Sequence, residues 1–252
     1  PKDGDRATSV WLSYIRGLAI NSVGDLFMAD EGNHCVIKIV NSTQLIATVA
    51  GICGSNSGGY SASENVIATT IKLNRPLGVA VNKNEGVVVA DTAHHRISEV
   101  TINGIITTIA GTGVAGFSGE SAIAIDTMLN YPTYATVTNN EEVLISEQGK
   151  IIKVDRHGII TRIAGNGTRG FGGDGGSALN ALFSNEGDVV VTDSGDVLLA
   201  DTSNNRIRIV YSSNGTIETI AGTGNADFFG DGHKSTKAAL NQPLSVAYMN
   251  GE

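Results

Sequence analysis

Gly187-Asp188-Val189-Val190-Val191, a turn, and Val197-Leu198-Leu199-Ala200-Asp201 open the most regular part of the chain, the stretch 185–224. Thr202-Ser203-Asn204-Asn205 comes next, then Arg206-Ile207-Arg208-Ile209-Val210, a turn at Asn214-Gly215, and Thr216-Ile217-Glu218-Thr219-Ile220-Ala221-Gly222. Four short runs rich in β-branched residues and separated by turn residues predict a four-stranded antiparallel meander. Asn-Gly between two such runs predicts a tight type I′ hairpin, whose two central residues both need positive φ. One such sheet cannot bury two faces alone, so its recurrence implies stacking.

It does recur. Aligning on the acidic residue that ends the second run gives Asp30, Asp91, Glu147 and Asp201, in steps of 61, 56 and 54 residues (30→91→147→201). The fourth run aligns independently as Thr48-Val49-Ala50-Gly51, Thr108-Ile109-Ala110-Gly111, Arg162-Ile163-Ala164-Gly165 and Thr219-Ile220-Ala221-Gly222. Between units lie Gly-rich connectors with one or two aromatics: around Gly59-Tyr60-Ser61, Gly116-Phe117-Ser118-Gly119, Gly170-Phe171-Gly172-Gly173 and Phe228-Phe229-Gly230. The glycines predict a tight loop, the aromatic a plug against the neighbouring sheet, and the following Ala/Leu segment a short helical turn. Full units run approximately over 13–73, 74–129, 130–183 and 184–240 of a single segment, with 1–12 and 241–252 as parts of flanking units. Pro243-Leu244-Ser245-Val246-Ala247-Tyr248 reads as the first strand of a fifth unit, with Asn250-Gly251-Glu252 as its turn.

Bulk composition agrees. The chain has 252 residues, 32 of them Gly and only 5% aromatic, which suits many short strands joined by Gly-built turns. A net charge of −8 without a Lys/Arg cluster argues against nucleic acid as partner, because such binding neutralises phosphates. No apolar run is long enough for a membrane span, so no direct membrane insertion is expected.

The pattern Leu-x-x-Ala-Asp, four residues, Arg-Ile-x-x-Val, a turn, then Ile-x-Thr-Ile-Ala-Gly-x-Gly resembles the NHL repeat. Val197 to Gly224 carries it most fully and Val87 to Gly113 nearly so. The resemblance implies an all-β fold: a β-propeller of NHL-type four-stranded blades, four of them complete here, within a ring of about six blades. It also implies an interaction platform, although some relatives are lyases or RNA binders.

Two cysteines occur, both in the first unit. Cys35 stands where Arg96 and Arg206 stand in other units, and Cys53 where Gly113 and Gly224 stand. A paired replacement at the open end of one hairpin, turning near Asn41-Ser42-Thr43-Gln44, predicts a disulfide and with it an oxidising compartment. Sequons at Asn41, Asn166 and Asn214 agree with a secreted glycoprotein.

The recurring acids and their neighbours form the candidate ligand rim: Asp30 with Asn33 and His34, Asp91 with His94 and His95, Glu147, and Asp201 with Asn204 and Asn205. The competing reading is that these short polar side chains tie down loop backbone. His34 and His95 are repeat-equivalent and, with His94, are the only set that suggests a catalytic metal. Their spacing is that of the repeat, so no metal, cofactor or catalytic residue is assigned. The expected function is a non-catalytic, extracellular or cell-surface module whose partners are other protein chains or an assembly. The alternatives are an enzyme with its site at the propeller mouth, lyase or hydrolase, and an RNA-binding module.

Overall fold

The computed structural model describes residues 2–55, 64–184 and 187–249. The expected Gly59-Tyr60-Ser61 connector and the Asn250-Gly251-Glu252 turn lie outside them. Four antiparallel sheets follow one another along the chain. The first is β1 (Ile15–Ile20), β2 (Leu26–Asp30), β3 (Cys35–Val40) and β4 (Leu45–Ala50), hydrogen-bonded in that order. The second adds β5 (Val66–Ile67) outside a meander of β6 (Pro76–Val81), β7 (Val87–Asp91), β8 (Arg96–Val100) and β9 (Ile105–Ala110), in the order β5-β9-β8-β7-β6. The third comprises β10 (Ala122–Ile123), β11 (Tyr134–Val137), β12 (Val143–Glu147), β13 (Lys150–Val154) and β14 (Ile159–Ala164), in the order β10-β14-β13-β12-β11. The fourth is β15 (Val189–Val191), β16 (Val197–Asp201), β17 (Arg206–Val210) and β18 (Ile217–Ala221). Each contains a four-stranded meander, a blade of the β-propeller kind, and no α-helix occurs among the described residues.

The chain divides into two compact units, Pro1–Val143 with Asp155–Ile159, and Leu144–Val154 with Ile160–Glu252. In the first, Ala19, Phe27, Ala29, Val36 and Ala50 of one sheet pack on Val79, Val81, Val87, Val89, Val100 and Ile106 of the next. Close approach of β1 to β6 depends on Gly17: a Cβ there would lie 2.7 Å from Leu77 O and 2.8 Å from Val79 N. The second unit has its own core, in which Phe183, Val189, Leu199 and Ile217 are fully buried with Ile151 and Ala164.

The connectors do more than join. Each contains the expected helical turn, a 3-10 turn at Ala68–Thr70, Ala124–Asp126, Ala178–Asn180 or Ser235–Lys237. In the first three, the leading alanine N–H donates to the outer hairpin of the following sheet (Gly104 O, Gly158 O, Gly215 O, each 2.8 Å). Its carbonyl accepts from the Ala-Gly end of the preceding sheet (Gly51, Gly111, Gly165). A connector acid then grips the same outer strand: Asp3 holds Thr48, Glu64 holds Thr108, and Asp174 holds Thr219. Covering the outer strand removes an edge open to pairing.

Three expectations are corrected. The connector aromatics are not plugs: Phe117 is half-buried, and Phe171 and Phe229 are 43% and 49% exposed. The plug is the apolar residue that ends the connector, Leu73, Leu129 or Phe183, each at most 1% exposed and worth about 1.5–3 kcal/mol in burial. The Asn214-Gly215 turn is not type I′. Only Gly215 has positive φ, at 68°. Asn214 stays out of the left-handed region with its Oδ1 accepting from Thr216 N (3.0 Å) and Thr216 Oγ1 (2.8 Å), and the loop closes four residues wide through Tyr211 N to Thr216 O (2.9 Å). Finally, Pro243–Tyr248 forms no strand, because no neighbouring ladder pairs with it among the described residues. It is held instead by Asp188 N to Leu244 O (2.8 Å) and Ser245 Oγ to Asp188 Oδ2 (2.9 Å).

Candidate functional site

The candidate rim residues lie at one corner of each sheet, where the second strand turns into the third. A strand that ends on Asp leaves a carboxylate beside unpaired backbone N–H groups, and the side chain is short enough to take them. Asp30, Asp91 and Asp201 do so alike. Each accepts from the N–H of the residue 17 positions earlier: Ser13 (3.2 Å), Asn74 (2.7 Å) and Ser184 (2.8 Å). Each also holds the side chain three positions later: Asn33 Nδ2 (2.8 Å), His94 Nδ1 (2.8 Å) and Asn204 Nδ2 (2.8 Å). All three carboxylates are at most 3% exposed. One Asp therefore fastens the entry to the first strand and the turn after the second.

The fourth residue of the turn reaches onward. His34, His95 and Asn205 have φ of 57°, 54° and 54°, in the left-handed region where His and Asn are enriched. In each, a side-chain acceptor takes a backbone N–H from the segment that leads into the next sheet. Arg75 N donates to His34 Nδ1 (3.0 Å), Tyr131 N to His95 Nδ1 (3.1 Å), and Gln242 N to Asn205 Oδ1 (2.9 Å). The receiving residues Arg75, Tyr131 and Gln242 are themselves left-handed, at 52°, 49° and 49°. His34 and His95 thus do not converge on one another. In the third sheet Glu147 is buried with Lys150 Nζ 3.5 Å away, and Gly149 takes the left-handed position.

Charge is uneven among these corners. Next to Asp30 stands Glu31, 7% exposed, gripped by Arg16 Nε (2.7 Å) and Arg75 Nη2 (2.6 Å). Burial pushes the Glu31 carboxyl up, but hydrogen bonds and charge from the two arginines outweigh it and hold it below the usual range. Asp201 goes the other way: burial pushes it up, against the bonds from Ser184 N and Asn204 and the charge of Arg208. Burial, helped by the neighbouring His94, lowers His95, with Asp91 opposing.

Sequence reasoning passed over Arg208 and Glu31. Arg208 is fully buried, bonded to Asp174 Oδ1 (2.7 Å), Gly172 O (3.1 Å), Leu182 O (3.3 Å) and Asp201 Oδ2 (3.4 Å). Its repeat equivalents are Ile37, Ser98 and Ile152, so a charge in an apolar slot was the available signal. Phe171 stacks on the same strand, its ring 3.7 Å from the Arg206 guanidinium carbon and 5.1 Å from that of Arg208. Glu31 likewise replaces Thr92 and Thr202.

The predicted disulfide joins Cys35 to Cys53, with Cα atoms 5.0 Å apart. Asn41, Asn166 and Asn214 are all exposed, and Asn41 Nδ2 donates to Val23 O (3.0 Å). Among the described residues no cluster of three or more His, Cys, Asp and Glu side chains is arranged to hold a metal ion. None of the helices there is long and apolar enough to cross a membrane.

Comparison with known proteins fits this geometry. The NHL repeat family model matches residues 73–99, the end of the first connector and the second sheet as far as β8. The chain is 34% identical to NHL repeat-containing protein 2 of Gallus gallus over 96 residues, covering 38% of this chain and 12% of that protein. It is 26% identical to Protein SUPPRESSOR OF QUENCHING 1, chloroplastic, of Arabidopsis thaliana, covering 92% and 23%. It is also 26% identical to human Teneurin-1, covering 82% and 8%. The chain therefore spans less than a quarter of the length of each of these relatives. Among solved structures, an auxiliary nutrient binding protein from Bacteroides ovatus superposes with a TM-score of 0.64 at 16% identity, over 95% of this chain and 55% of that one. Repeated corners, clasped outer strands and the matched repeat lead to one assignment: the chain is a run of β-propeller blades with an NHL repeat at residues 73–99.

Proposed function

We propose that these blades form a binding and assembly module of an extracellular or cell-surface protein, whose partners are other protein chains. The Cys35–Cys53 disulfide is the observation that carries the compartment, since such bonds persist where the surroundings are oxidising. Exposed sequons at Asn41, Asn166 and Asn214 are compatible with it as glycan sites. The binding reading rests on the hairpin and connector surface of the second and third sheets. Ile102, Ile123 and Ile125 are 74%, 53% and 51% exposed, and apolar side chains held outward there favour contact with protein. At the corners, the recurring Asp, His and Asn side chains bind backbone, which favours a scaffold over a reaction centre.

The test substitutes Ile123→Asp together with Ile125→Asp in the full-length protein in its native setting and follows its sedimentation. The proposal expects an exported, folded protein that leaves the heavier assembly fraction. Unaltered co-sedimentation of the variant would overturn the assignment of this surface.

A further inference from the structure

The three fasteners between successive blades are alike in position and unlike in chemistry. His34 and His95 accept a backbone N–H through Nδ1, while Asn205 accepts through an amide oxygen. An N–H can only donate, so both imidazoles serve with Nδ1 deprotonated and the proton on Nε2. A protonated imidazole has donors at both nitrogens and cannot accept. The Asn205 amide does not titrate in this range.

We propose that His95 is an acid-labile fastener that releases the lead-in segment of the third blade as pH falls through the histidine range, while the Asn205 fastener stays closed. The groups around the imidazole agree. His95 is 8% exposed; Asp91 and His94 face it from its own turn, and Tyr131 meets it edge-on from the following segment with ring centroids 4.3 Å apart. Asp91, whose oxygens take Asn74 N and His94 Nδ1, opposes through its charge, and burial with His94 outweighs it.

The sign follows from linkage. Burial disfavours the charged form of His95, so the folded state prefers it neutral. The resulting stability is present above the ordinary histidine range and is lost as pH falls through it. His94 behaves differently, because its Nδ1 can donate to Asp91 in either charge state.

The inference stands on hydrogen-bond geometry and does not depend on the module's partner. Its test is native-state hydrogen exchange of the whole protein by NMR, with protection factors read for the Tyr131 and Gln242 amides at about pH 7.5 and about pH 5. Each unit of pH below the histidine pKa cuts the neutral, accepting fraction about tenfold. Tyr131 should therefore lose on the order of tenfold protection or more, with Gln242 changing less than about twofold. His95→Asn, which copies the fourth blade, should make Tyr131 insensitive. Equal loss at both amides, or continued loss at Tyr131 in His95→Asn, would overturn the proposal. The wild-type contrast between the two amides decides the matter even where the variant fails to fold.

Discussion

The first and fourth blades solve the same corner problem in two ways. In the fourth, the first residue of β17 is Arg206, whose guanidinium lies over Gly224 and donates to Thr223 O (2.7 Å) and Asn204 O (2.9 Å). In the first, the corresponding pair is Cys35 and Cys53, joined covalently. The second blade follows the fourth: Arg96 donates to Thr112 O (2.6 Å), and a Cβ on Gly113 would come within 2.8 Å of its Nη2. In the third, Lys150 lies over Gly167. A strand start must be tied to the segment leaving the fourth strand, and either a long cation over glycine or a disulfide does it. The cation works only with glycine beneath it, so both positions change together.

A second difference deepens the first. The fourth blade buries Arg208 where the first has Ile37. A buried charge is stable only while its partners remain, and removing one leaves it uncompensated. Asp201→Ala should therefore be the most damaging change, destabilising the second unit by about 3–5 kcal/mol in denaturant titrations. Ile37→Val in the first blade, by contrast, should cost about 0.5–1.5 kcal/mol. Similar losses from the two would dismiss the contrast between charged and apolar interiors.

Breaking the covalent corner comes next. The two cysteines are 18 residues apart, and closing a loop of that size stabilises by about 3 kcal/mol. Cys35→Ser with Cys53→Ser should lower the unfolding midpoint accordingly, and reductant should have the same effect on wild type and none on the variant. The corners can also be exchanged. Arg96→Cys with Gly113→Cys should form a second disulfide, read by thiol titration and intact mass, because the repeat gives both corners the same backbone path. Free thiols in that variant would show that the equivalence is of sequence only. The smallest expected effect concerns Glu31, which replaces the Thr92 and Thr202 of the other blades. Its carboxyl is held below the usual range, so its contribution is present at neutral pH and fades as pH falls through its folded-state pKa. Both arginine partners are largely exposed, so Glu31→Thr should cost under about 1 kcal/mol at pH 7. That difference from wild type should vanish in acid.

Much of this was legible in the sequence because it repeats. Two registers, the Ala-Asp pair and the Ala-Gly pair, located the strands. The coincidence of Cys35 and Cys53 with Arg and Gly of other units located the disulfide. The helical turn between blades was readable from its Ala/Leu composition. What escaped were outcomes that depend on contacts distant in sequence. The backbone fastening at Asp30, Asp91 and Asp201 turns on N–H groups 17 residues upstream. Phe171 looked like a plug because an aromatic among glycines usually packs inward, yet two arginines of β17 hold it at the surface. The Asn-Gly hairpin failed because Asn214 found a partner two residues on, in Thr216.

The central claim is that one corner of the first blade carries a covalent bond where the other blades place a cation over glycine. Non-reducing peptide mapping by mass spectrometry of the native protein tests it most directly. The account predicts a linked peptide containing Cys35 and Cys53 in essentially all molecules. Two free, alkylatable thiols in freshly isolated protein would contradict both the bond and the compartment inferred from it.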